Sequence, residues 1–395
     1  MRRPLQDIRV LDLSAVLSGP MATALLADQG ADVVKVEPPG GDLSRRIGPA
    51  KGAMSAMYIA ANRGKRSIRL DLKRADHLEA LRALAQRADV LVQNFRPGTL
   101  ARLGLAPAVL RQANPRLVLA SITGFGASGP YADGRVYDAV IQAVSGISAS
   151  HPLPGGEAPA LLATTVCDKL TALTAAQAIT AALLARERSG QGTHIELSML
   201  DAALAFQWPD AMYNHSFVSD PPPLAPEFGV LQRPYATRDG HVAMMTPQPD
   251  EFAALCRGLG RPELAEDPRF AHIDARRRNV AELMTLLDVL IAAHDTDTLV
   301  QRLREAGVPI GRVNRRHEVA DDPQVRHNRA LVEIDHGVLG RVRLARAAAR
   351  FDGAAHTPGP APELGEHGRE LLAELGYDDA RIDALLAETA EGVPR

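Results

Sequence analysis

The stretch IRVLDLSAVLSGPMATALLADQGADVVKVEP, residues 8–38, decides how the chain is read. Apolar residues from Ile8 to Leu13 predict a strand, Pro20 to Gln29 predicts a helix stopped by Gly30, and Asp32 to Val36 predicts the next strand. A helix between two strands is what a parallel crossover needs, because a tight turn joins only antiparallel neighbours. The alternation continues outward through Ser67–Leu72, Val90–Phe95 and Leu117–Ile122, with a helix at Ala75–Ala88. The expected fold class is α/β, a Rossmann-like parallel sheet whose strand ends offer a ligand crevice without naming the ligand.

Further along, helices are predicted at Ala139–Ser148 and Lys169–Glu187, then a turn at Ser189–Gly192, a strand at His194–Ser198 and a helix from Asp201. The Pro-rich stretch Asp220–Pro226 reads as a linker. Beyond it, a strand at Gly240–Thr246 and amphipathic helices at Asp250–Leu259 and Ala281–Ala293 predict a smaller α/β unit. The tail from Val319 holds a strand-like Arg341–Leu344 and a last helix at Arg369–Leu375.

Composition narrows the function classes. Lys plus Arg number 45 against 47 Asp plus Glu, so no basic surplus points to nucleic acid or anionic lipid. The two cysteines, Cys167 and Cys256, fit no metal-ligand spacing, which argues against zinc and against a disulfide framework. No apolar run reaches the roughly 18 residues of a membrane span, and the N-terminus has no signal-peptide pattern. A soluble, cytoplasmic protein without metal, membrane or nucleic-acid partners is expected.

Three motifs bear on chemistry. Gly124, Gly126 and Gly129 form G-x-G-x-x-G after a predicted strand, the outline of a dinucleotide site. Pro130, Tyr131, Asp133 and Gly134 continue it as a turn instead of a helix, so the glycines are better read as shaping another pocket. Asp168 stands at the predicted start of the Lys169 helix, where an ordinary N-cap is expected. A helix N-terminus also favours the ionised carboxylate, and that is the form a nucleophile needs. Finally, Asn94-Phe95-Arg96-Pro97-Gly98 follows a strand, and Lys73, Arg74, Arg96, Arg102 and Arg135 lie in or after strand-end loops. Cations gathered on one sheet edge suit a diphosphate plus a ribose phosphate.

Together these residues resemble the class III CoA-transferase family, which includes formyl-CoA:oxalate and carnitine CoA-transferases and alpha-methylacyl-CoA racemase. The similarity rests on an ordered set of motifs: Val10-Leu11-Asp12-Leu13, Ser18-Gly19-Pro20, the run Gly30 to Pro38, Asn62-Arg63-Gly64-Lys65, and Leu70-Asp71-Leu72-Lys73. It continues through Asn94 to Gly98, Gly124-Phe125-Gly126, Tyr137-Asp138 before Gln142-Ala143, Gly307-Val308-Pro309, Asp322 to Val325 and Leu364 to His367.

The resemblance implies an interlocked homodimer and a large domain built from both chain ends: 1–218 as its CoA-binding N-terminal part, 227–318 as the small domain, and 319–395 returning to the large domain. Asp168 falls on the family's nucleophilic aspartate. Val16, Leu17, Leu70, Asp71, Leu72, Lys73, Asn94, Phe95, Arg96, Arg102, Arg135 and Tyr137 fall on CoA-contacting positions. No permanently bound cofactor is implied; coenzyme A enters as the acyl-CoA substrate, with a small carboxylic acid as acceptor.

In the implied reaction Asp168 attacks the thioester, and transfer proceeds through an aspartyl mixed anhydride and an aspartyl-CoA thioester. Holding the carboxylate in near-attack geometry supplies roughly 7 to 11 kcal/mol. Backbone N–H groups at the helix start or in the Gly124–Gly129 loop are candidate oxyanion donors. Leu17 replaces a polar residue of the formyl-CoA enzymes and residues 230–250 lack their glycine-rich loop, which disfavours oxalate as acceptor. The alternative is a 2-methylacyl-CoA racemase or epimerase. It needs a second acid/base group, and Tyr137-Asp138 stands where racemases carry His-Asp; a phenol of pKa near 10 is a poor base.

Overall fold

The computed structural model describes residues 3–149, 159–225, 227, 233–354 and 356–387. Pro226, at the end of the Pro-rich stretch, and residues 230–232 of the 230–250 segment lie outside them. The chain divides into two units, one of residues 1–149, 158–206 and 327–395, the other of 150–157 and 207–326.

The first unit is built on six parallel strands: β1 (Arg9–Asp12), β2 (Asp32–Glu37), β3 (Arg66–Arg69), β4 (Val90–Gln93), β5 (Val118–Thr123) and β6 (His194–Ser198). Their spatial order is β3-β2-β1-β4-β5-β6. The order reverses between β1 and β4, and a crevice opens there at the strand C-terminal ends. Strand β3 is shorter than expected. It pairs only to Arg69, because the Asp71 carboxylate accepts the Lys73 N–H at 3.0 Å and turns the chain away.

Each sheet face is covered. On one side, α1 (Ser18–Asp28) packs against α5 (Val166–Ser189), burying Ala22, Leu26, Ala172, Ala175 and Ile179 beside Val10, Val33, Val90 and Val118. Small residues on both helices let them approach closely, and α1 is apolar almost all round because it is enclosed. On the other side lie α2 (Ala75–Arg87), α3 (Pro107–Ala113), α9 (Gly368–Glu374) and α10 (Asp379–Ala387), contributing Leu81, Leu110, Leu371, Leu372, Ile382 and Leu385. The tail therefore returns to the N-terminal sheet. The helix at Gly368–Glu374 is not the last; α10 follows it after a turn at Gly376.

Between β5 and β6 the chain passes through α4 (Asp138–Ser145) and then α5. The expected helix Ala139–Ser148 ends earlier because Gly146 takes a left-handed conformation, φ 90°. In the second unit β7 (Pro234–Ala236), β8 (His241–Met244) and β9 (Ile310–Arg312) form an antiparallel sheet in the order β9-β8-β7. Helices α6 (Pro249–Gly258), α7 (Val280–Ala292) and α8 (Thr296–Glu305) share a core with it, around Phe252, Leu255, Phe270, Leu287 and Leu303.

Candidate active site

At the reversal point the loop after β1 is held from three sides. Ser14 donates its N–H to Asp12 at 2.9 Å. Asn94, just past β4, accepts the Ala15 N–H at 2.8 Å and donates to the Ala15 carbonyl at 2.8 Å. The Val16 N–H donates to Asp42 at 3.1 Å, and Val16 has φ 70°, a conformation that a β-branched residue adopts only when its surroundings impose it. This turn sends the chain straight into α1.

Beneath the loop lies a fully buried ion network. Asp12 accepts from Thr23 at 2.7 Å and Lys65 at 2.8 Å, and Lys35 bridges Asp42 and the Ser14 carbonyl at 2.8 and 2.9 Å. Burial works against the charge on Asp12, but Lys65 and Lys35 outweigh it and hold its pKa below the usual carboxylate range. Burial pulls Lys65 down to about 8. Next to it, Arg45 grips Glu37 with two bonds of 2.7 Å and stacks on Tyr58. The family-like residues Asp12, Lys35, Glu37 and Lys65 thus serve to fix the loop.

Asp168 lies opposite, in the first turn of α5. The helix starts at Val166, not Lys169, and Thr165 occupies the N-cap, so the expected capping role falls away. Another carboxylate does the capping. Asp138, buried at the start of α4, accepts the Asp168 N–H at 2.9 Å with one oxygen and the Gln142 amide at 2.6 Å with the other. Gln142 in turn accepts the Leu162 N–H at 2.9 Å, tying α4 to the segment that leads into α5.

The Asp168 carboxylate itself faces the N-terminus of α1, with the Ser18 hydroxyl and backbone N–H beside it. Burial, then the Asp138 charge, push the Asp168 carboxyl up to about 6, while Ser18 and Lys169 pull it partly back. The N-terminus of its own helix was expected to favour ionisation, and desolvation wins instead. The neighbouring Cys167 is the less reactive group: burial pushes its thiol up to about 12.

Asp168 opens into a cavity of about 340 Å³, lined also by Val16, Ser18, Asn94, Phe95, Arg96, Arg135 and Tyr137. A second cavity of about 520 Å³ is lined by Leu70, Asp71, Leu72, Lys73, Phe95 and Thr99, among others, and shares Ala15 and Phe95 with the first. Leu17 is buried and lines neither, and Arg102 is exposed, donating to Thr99 at 2.8 Å beside the larger cavity. Asn94 spends its side chain on Ala15. The Gly126 N–H is taken by Thr123 at 3.0 Å, and the Asp168 N–H by Asp138, so neither is an open oxyanion donor. Gly124 is required sterically, since a Cβ there would meet Val136 at 2.3 Å. Among the described residues no group of three His, Cys, Asp or Glu is placed to hold a metal ion, and no helix is long and apolar enough to cross a membrane.

A half-buried carboxylate of raised basicity at a parallel-sheet reversal point, reached through a crevice edged by Lys73, Arg96 and Arg135, suits attack on a nucleotide-linked acyl group. The family model for CoA-transferase family III matches residues 5–368. The chain belongs to that family. It is 35% identical to the succinate–glutarate CoA-transferase of Agrobacterium fabrum, over 94% of this chain and 96% of that one. It is 34% identical to the acetyl-CoA:oxalate CoA-transferase of Acetobacter aceti, over 96% and 97% of the two chains. The crystal structure of a CAIB/BAIF family protein from Brucella suis matches with a TM-score of 0.81 and 34% identity, covering 95% of this chain and all, 100%, of that one. The protein is accordingly a class III CoA-transferase, acting on a CoA thioester and a carboxylic acid.

Proposed function

We propose that Asp168 is the nucleophile of this CoA-transferase and that transfer runs through an aspartyl mixed anhydride and an aspartyl-CoA thioester. The observation that carries the reading is the environment of Asp168: half-buried, set against Asp138, pushed up to about 6, and open to a cavity. At pH 7 a carboxyl of that pKa is ionised in roughly nine molecules of ten, and its oxygen is more nucleophilic than that of a free aspartate. The nucleotide end of CoA lies along Leu70–Lys73 and Thr99 in the larger cavity, with Arg102 at its edge. The pantetheine arm passes Ala15 and Phe95, and the thioester reaches Asp168 near Arg96, Arg135 and Tyr137.

The relatives named above differ in their acids, so the donor and acceptor are not inherited from them. Apolar Val16, Ile122, Phe125, Val136 and Met199, with Arg96 and Arg135 as the cations of the same cavity, favour a short acid bearing a second carboxylate. Epimerisation is the less supported alternative. It would need a free base facing Asp168, whereas Asp138 is engaged on both oxygens and Tyr137 is exposed on the cavity wall. An Asp168→Asn variant tests the reading. It should bind CoA as tightly as the wild type and lose transfer by several orders of magnitude; nearly full transfer would contradict it.

A further inference from the structure

Beside Asp168 stands Ser18, a residue to which neither the motif reading nor the family relationship assigned a role. Ser18 is the first residue of α1, is 3% exposed, and lines the same cavity as Asp168. Its hydroxyl and its N–H face the Asp168 carboxylate in the cavity that both residues line. The residue before it, Leu17, offers no side-chain cap, and the first turn of α1 contains no acidic residue. Asp168, reaching across from α5, is therefore the anion that this helix start meets.

We propose that the Ser18 hydroxyl is a catalytic donor which, with the Ser18 N–H, forms the oxyanion hole for attack on the carbonyl carbon of acylated Asp168. The assignment rests on the reading of Asp168 as the nucleophile, and it separates the steps of the reaction. When the Asp168 carboxylate attacks the thioester, negative charge leaves its oxygens. Donors held there stabilise the starting state and do not accelerate that step.

The later steps reverse this. The CoA thiolate attacks Cγ of the anhydride, the new C–S bond forms, and the Asp168 carbonyl oxygen takes up the electron pair as an oxyanion. Collapse returns the pair to the carbonyl as the bridging C–O bond breaks and the first acid departs as its carboxylate. The acceptor carboxylate then attacks the same carbon and expels the thiolate. Each attack on Cγ concentrates charge on the oxygen that Ser18 faces, where prepositioned donors are most effective.

Prepositioning is what the surrounding loop provides. Val16 at φ 70°, the Asn94 clamp on Ala15 and the Asp42 bond to Val16 fix the start of α1 before any substrate arrives. No reorganisation is then required as the oxyanion forms.

The test compares Ser18→Ala and Ser18→Cys, both of which keep the backbone N–H, with the wild type. Cys preserves the packing but is a weak donor. Acyl-CoA and acceptor acid are mixed with each protein, turnover is measured, and acid-quenched samples are weighed by intact mass spectrometry. Both variants should turn over about 100-fold more slowly and carry a larger covalent fraction at Asp168 during turnover. Turnover within twofold of wild type overturns the assignment. So does a slow Ala variant beside a normal Cys variant, or slow turnover without accumulation, since those outcomes mark a packing role. A wild type that never carries an adduct on Asp168 overturns the nucleophile reading, and this assignment with it.

Discussion

Replacing Asp168 by Asn should stabilise the protein, and by more at neutral than at acid pH. The carboxyl is pushed from 3.8 up to about 6 by burial and by Asp138. The folded protein thus binds this proton more tightly than the unfolded chain does, so ionisation weakens folding. The loss begins near pH 4 and is complete above about pH 6. It amounts to about 3 kcal/mol at pH 7.5 and about half of that at pH 5. Asn has the same size, still faces Ser18, and brings an amide instead of a charge towards Asp138. With about 2.1 cal/mol/K of unfolding entropy per residue over 395 residues, the variant should melt about 4 °C higher than wild type at pH 7.5 and about 2 °C higher at pH 5. Calorimetry at the two pH values, on protein checked for deamidation, measures the gap. A gap that stays constant or narrows as pH rises, or a wild type more stable at pH 7.5, would refute the reasoning.

Asp138→Asn removes the charge that, after burial, does most to raise the Asp168 carboxyl. The acidic limb of kcat/KM should move to lower pH, with about 1–3 kcal/mol of stability lost with the charge-assisted bond; a limb moving upward contradicts this. Lys65→Met leaves the buried Asp12 carboxylate short of its closest cation and should cost about 3–5 kcal/mol in a urea unfolding series. An interlocked homodimer, which the family resemblance implies and which would cover exposed Leu173, Leu184 and Phe351, would leave no folded monomer at low concentration, and sedimentation showing an active monomer opposes it.

The parallel sheet was legible because β1, β2, β4 and β5 are buried on both faces and therefore read as continuous apolar runs, as in Val10-Leu11 and Val90-Leu91-Val92. Boundaries were less so. The α5 start was misplaced by three residues because its capping anion, Asp138, lies 30 positions earlier in the chain. Helix α8 and strand β9 went unread, and α10 too, since their burial depends on partners distant in sequence. In the site, Asp168 and the strand-end cations were visible as residue types in an ordered motif set. The role of Asn94 was not, because its clamp on Ala15 spans 79 residues. The Asp138–Gln142 pair did leave a local signal, an acid and an amide at helical i, i+4 spacing.

The central claim is that a covalent bond forms on Asp168, and peptide mapping reads it directly. The protein is mixed with acyl-CoA, treated with hydroxylamine or borohydride, digested and sequenced by mass spectrometry. Modification confined to the peptide containing Asp168, and absent from the Asp168→Asn variant, is the predicted result. A modified residue elsewhere, or transfer that proceeds with no modified peptide at all, would contradict the account.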